Sequence, residues 1–71
     1  MTRAPGRPRS VEADEAILRA TLEILAHDGY RALTMEQVRE RSGVGKATIY
    51  RRYDDKAQLV VAAVRDRAAK K

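Results

Sequence analysis

The sequence predicts an all-α domain in which three helices form a bundle and a fourth begins. Three observations predict it. Apolar residues recur at helical spacing from Val11 to Asp28. Two later helix starts carry paired capping residues, Thr34 with Gln37 and Asp55 with Gln58. No stretch shows the alternation and turn signals of a strand pair or hairpin. At 71 residues the chain has room for one modest core.

The opening "MTRAPGRPRS" holds both prolines, and its largest aliphatic side chain is the initiator Met. It lacks the apolar surface to offset the entropy of ordering, so residues 1–9 are expected to form a flexible Arg-rich arm. Ser10 offers an N-cap, with Ala13 where a full capping box would need Glu or Gln. The first helix follows. Ala13, Ile17, Ala20, Thr21 and Ile24 share one stripe, widened by Leu18, Leu22 and Leu25, while Glu12, Glu15, Arg19 and Glu23 fall opposite. So broad a stripe implies contact with more than one neighbour. Gly29 is placed to close the helix in a left-handed conformation, with His27 in its last turn.

A second helix starts at Thr34, turns Met35 and Val38 inward and stops at Gly43. The third runs only from Gly45 or Lys46 to Arg52, anchored by Val44 and Ile49. Asp55 caps the fourth, which continues through Leu59 and Val64 to the end. Val60, Val61 and Val64 are too apolar for a helix exposed on every side, so some are expected to face a partner absent from this chain.

Two helices joined by a short glycine turn, the second one short and basic, form a helix-turn-helix. Residues 10–56 make up that unit, and residues 57–71 the fourth helix. Such a short helix buries little, which leaves Lys46, Thr48, Tyr50, Arg51 and Arg52 to face a ligand. A DNA major groove, about 12 Å wide, admits one helix. Charge agrees with this. The net charge is +5, with an acidic first helix flanked by a basic arm and a basic stretch from Arg39 to Lys56. That polarity orients a molecule toward a polyanion.

Other classes find little support. With no Cys and one His, there is no nucleophile–base pair or metal constellation to propose, so no enzyme and no cofactor are expected. No apolar run reaches membrane-spanning length, and the acidic first helix argues against a membrane surface. A cytoplasmic, nucleoid-associated location is expected. The alternative that stays open is a basic helical protein–protein interaction module meeting an acidic partner. Another helix-turn-helix family with Arg-rich arms, such as recombinase DNA-binding domains, is the rival among DNA binders.

The stretch from Ile17 to Leu59, "ILRATLEILAHDGYRALTMEQVRERSGVGKATIYRRYDDKAQL", resembles the N-terminal DNA-binding domain of TetR-family transcriptional regulators. Gly29-Tyr30 matches the family's Gly-aromatic pair, and Thr34 its second-helix start. "SGVG" matches the turn, "IYRRY" the recognition helix and Lys56 the start of helix four. Arg39 and Ser42 depart from the family's small alanines, Gly45 from a Ser, and Arg52-Tyr53 from a His-Phe pair. The resemblance implies a homeodomain-like fold and a sequence-specific regulator, most often a repressor. It also implies a homodimer and a small-molecule inducer site, both through a C-terminal domain absent here.

Residue roles follow as expectations. Lys46, Ala47 and Thr48 lead the recognition helix, where a helix entering N-terminus first meets base edges. Thr34, Arg51, Arg52 and Lys56 are the phosphate candidates, Lys56 together with the first N–H groups of helix four. Tyr50 joins them through the resemblance, its alternative being a half-buried core ring. Glu36 can accept from a cytosine amino group, although a first-turn acid already favours the helix dipole. In the arm, Arg3, Arg7 and Arg9 are candidates for an A·T minor groove, since "GRPR" resembles an AT-hook core.

Overall fold

The computed structural model describes residues 9–70, which form four helices: α1 (Arg9–Ala32), α2 (Met35–Ser42), α3 (Lys46–Arg52) and α4 (Lys56–Lys70). No strand occurs among the described residues. α1 begins two residues earlier than expected. Ser10 therefore lies inside the helix instead of capping it, because beyond Pro8 no residue opposes helical geometry.

Gly29 carries the expected positive φ, but its ψ corrects the expected conformation. At φ 85° and ψ 169° it lies outside the left-handed helical well, in a region essentially confined to glycine. The chain kinks there. One further turn follows, in which the Leu33 N–H donates to the Tyr30 carbonyl at 3.2 Å. This kink delivers Leu33, which lies outside the periodic stripe of α1, into the core.

The core gathers Ile17, Ala20 and Ile24 from α1, Leu33 from the link, Val38 from α2, Ile49 from α3 and Leu59 from α4. Met35, Val44, Tyr53 and Val60 pack around it. Thr21 is buried as well, its hydroxyl donating to the Ile17 carbonyl at 2.8 Å, so no polar group is stranded there. α1 packs against both α2 and α4, as its wide stripe requires. Along α4, Val60 turns toward the core while Val61 and Val64 remain exposed.

α2 opens with the complete box. The Thr34 hydroxyl accepts from the Gln37 N–H at 3.1 Å, and the Gln37 side-chain oxygen accepts from the Thr34 N–H at 3.2 Å. The box at α4 forms differently. Asp55 accepts from the Gln58 N–H at 3.1 Å, but Gln58 returns its bond to Asp54, at 2.9 Å, one residue earlier than expected.

Candidate nucleic-acid interface

Everything that presents α3 follows from the turn before it. Gly43 sits at φ 76°, ψ 6°, the left-handed well, and its N–H donates to the Arg39 carbonyl at 3.0 Å. A Cβ is strained there, so glycine permits the tight reversal. The Ser42 hydroxyl then accepts from the Val44 N–H at 3.1 Å, and Val44 packs against the core. Gly45 is the N-cap of α3 and makes no side-chain cap bond.

α3 is held from beneath by Ile49, its buried residue. Its leading residues Lys46 and Ala47 are exposed. Thr48 is half-buried and lines an open groove with Glu12, Ala13 and Ala16 of α1, together with Val44, Arg51 and Arg52. Tyr50 is 43% exposed, which overturns its reading as a core ring. The half-buried aromatic is Tyr53, one helical turn on. Arg51 is exposed on the wall of the groove.

Other expected phosphate ligands have partners within the domain. Arg52 Nη1 donates to Asp14 Oδ2 at 3.0 Å, and the Tyr53 hydroxyl donates to the other oxygen of Asp14 at 3.3 Å. Burial pushes the Tyr53 phenol above its usual range, and the neighbouring Asp14 charge adds to the effect. Lys56 Nζ donates to the carbonyls of Tyr30 at 2.9 Å and Arg31 at 3.4 Å, and lies 4.4 Å from the centre of the Tyr30 ring. Its ammonium therefore ties the start of α4 to the last turn of α1, beyond the kink at Gly29. The sequence carries no periodic signal for either set of contacts.

Thr34 remains exposed while capping α2. Beside it, Arg39 grips Glu36 through Nε, at 3.1 Å, and through Nη2. The Arg39 hydrogen bond holds the Glu36 carboxyl below its ordinary value, and the Lys46 charge acts in the same direction. Arg39, which departs from a small residue, thus neutralises a neighbour. Arg41 reaches Glu23 of α1 at 3.3 Å. Arg3 and Arg7 lie outside the described residues, and of Arg9 only the helical backbone is described.

Among the described residues no group of three or more His, Cys, Asp or Glu could hold a metal ion. None of their helices is long and apolar enough to cross a membrane.

Residues 17–63 match the family model described as bacterial regulatory proteins, tetR family. The chain belongs to the TetR family. It is 39% identical over 56 residues to the uncharacterized HTH-type transcriptional regulator YdeS of Bacillus subtilis (strain 168), covering 79% of this chain and 28% of that protein. Against the DNA-binding transcriptional repressor TetR of Mycobacteroides abscessus, identity is 39% over 61 residues, 86% of this chain and 30% of the relative. The repressor KstR of Mycolicibacterium smegmatis is 42% identical over 53 residues, covering 75% and 26%. No solved structure matches. The TetR-family chain spans less than a third of the length of these curated relatives. They are transcriptional regulators, not enzymes, and the helix-turn-helix described above is a DNA-binding unit.

Proposed function

We propose that this TetR-family domain reads one half-site of a double-stranded operator by inserting α3 into the major groove. The carrying observation is the asymmetry of α3: Ile49 is buried beneath it, while Lys46, Ala47, Tyr50 and Arg51 are exposed. Lys46 donates to a guanine edge, and the methyl groups of Ala47 or Thr48 meet a thymine methyl. Thr34, Tyr50 and Arg51 contact phosphates, fixing register without reading sequence. Lys56 has a fold-directed role through the Tyr30 and Arg31 carbonyls and contributes to phosphate binding only from that tethered position. The arm, with Arg3 and Arg7, follows the adjoining minor groove, with Arg9 joining it from the first position of α1. Repression is supported by the relatives that are named repressors. The whole regulator acts as a homodimer in the cytoplasm and responds to a small-molecule inducer bound outside this domain.

An NMR titration of the chain with duplex DNA at two salt concentrations tests the reading. Shift changes concentrated in residues 34–56 and the arm, weakening steeply with salt, are expected. Unmoved resonances at Lys46, Thr48 and Tyr50 would instead favour the protein–protein module.

A further inference from the structure

We propose that Asp14 is a positioning residue of the DNA interface: it holds the Arg52 guanidinium in a neutral pair, away from the phosphate backbone, and fastens the end of the recognition helix to α1. This rests on the placement of α3 at the groove.

Two consecutive residues at the end of α3 converge on the two oxygens of one carboxylate. Arg52 takes Oδ2 at 3.0 Å and Tyr53 takes Oδ1 at 3.3 Å, across 38 and 39 residues of chain. The ion pair is partly exposed. Its side chains are 35% and 31% exposed, against 39% and 57% for the Arg39–Glu36 pair, so solvent screens it less. Ile49 anchors this seven-residue helix from beneath, with Val44 and Tyr53 packed against the core at its two ends. The bonds from its C-terminal turn to Asp14 add a polar tie to α1, and so help set where Lys46 points at the other end.

The electrostatic consequence is separate. A guanidinium already paired with a carboxylate carries no net charge to the duplex. Bringing it near a phosphate displaces no condensed counterion unless the carboxylate lets go. Since the salt dependence of binding scales at about 0.9 per neutralised phosphate, Arg52 should be missing from that slope. Its sequence neighbour Arg51, exposed on the groove wall, should be present in it. Withholding one cation weakens binding to every sequence alike, which favours discrimination by Lys46, Ala47 and Thr48.

The test measures affinity for a random-sequence 20-base-pair duplex over a series of KCl concentrations, using the full 71-residue chain. Arg52→Gln leaves Asp14 unpaired, a net −1 where the pair was neutral, so the pairing is read from the double variant, in which both charges are removed. Asp14→Asn should steepen the slope by about 0.9, and the Asp14→Asn/Arg52→Gln double variant should restore it. Asp28→Asn, the same charge change at the far end of α1, should leave the slope alone. A double variant with a slope shallower than wild type overturns the proposal, because Arg52 would then already neutralise a phosphate in the wild-type chain, as does an Asp14→Asn effect no larger than that of Asp28→Asn. Lys46→Gln separates the two readings. If it changes nothing while the Asp14 cycle behaves as stated, the placement of α3 is at fault and the Arg52 pairing is not. Should Asp14→Asn fail to fold, the Arg52 guanidinium NMR signals of the wild-type chain decide. Hindered rotation that persists on adding duplex supports the pairing; its loss on adding duplex refutes it.

Discussion

Lys56 shows how a cation expected at the DNA can have a prior engagement in the fold. Its ammonium donates to two carbonyls in the last turn of α1, beyond Gly29, and stands over the Tyr30 ring. Charge-assisted hydrogen bonds and a cation–π contact each contribute on the order of 1 kcal/mol, less where water competes. Lys56 is only half-buried, so the discounted total is about 1 kcal/mol. Lys56→Met keeps the aliphatic stem and removes the charge, and should lower urea-unfolding stability by about that amount. Lys46→Met, at an exposed position, should leave the urea midpoint where it is while weakening DNA binding. Equal midpoints for wild type and Lys56→Met would show that the ammonium contributes nothing to the joint.

Between elements, the turn before α3 decides how the helix is presented, and its two glycines have opposite standing. A side chain at Gly43 would meet no atom within 4 Å, so the cost of Gly43→Ala comes from the positive φ alone, about 1 kcal/mol. Gly45 has φ −64° and ψ 150°, ordinary extended geometry, again with open space around a Cβ. Gly45→Ser supplies the missing N-cap oxygen and should stabilise the domain by a few tenths of a kcal/mol. Thermal unfolding should move in opposite directions for the two variants; a loss from both would place a hidden contact at Gly45. The same locality governs what can be read from the chain without coordinates. The Thr34–Gln37 box and the Gly43 stop are written within four residues, and both are found as expected. The outward placement of Lys46, Ala47, Tyr50 and Arg51 is equally legible, because Val44 and Ile49 mark the inner side of α3, while Thr48 is half-buried in the groove beside α1. Leu33 escapes because it belongs to a link with no period, and reaches the core through a kink whose ψ the sequence does not specify. Asp14 and Arg52 escape because nothing local joins residues 38 positions apart. Both are products of packing, and each changes the reading of a neighbouring site residue.

At the scale of the molecule, the count of 15 Lys and Arg overstates the cations free to meet a duplex. Arg39 pairs with Glu36, Arg41 with Glu23 and Arg52 with Asp14, and Lys56 faces carbonyl oxygens. The cations presented on α3 reduce chiefly to Lys46 and Arg51, beside whatever the arm adds. So few phosphate contacts suit weak binding to one half-site, in the range of about 10⁻⁴–10⁻⁶ M typical of largely electrostatic association. On the proposed function, tighter operator binding is expected from joining two copies. A C-terminal fusion to a parallel dimeric coiled coil, through a flexible linker, supplies that join without any new DNA contact. The second half-site is then bound at the effective concentration set by the linker, and affinity should rise by about 10²–10⁴-fold. The gain should appear on inverted half-sites centred about 34–36 Å apart, one turn of the duplex, so that both recognition helices meet the same face. Inserting half a turn between the half-sites should abolish most of it, since the second helix would then face away from its groove. Half-sites selected from random duplexes with the fusion supply the probe, and Kd is measured by anisotropy on both spacings. Equal Kd on the two would mean that the copies bind through charge alone, with α3 outside the groove.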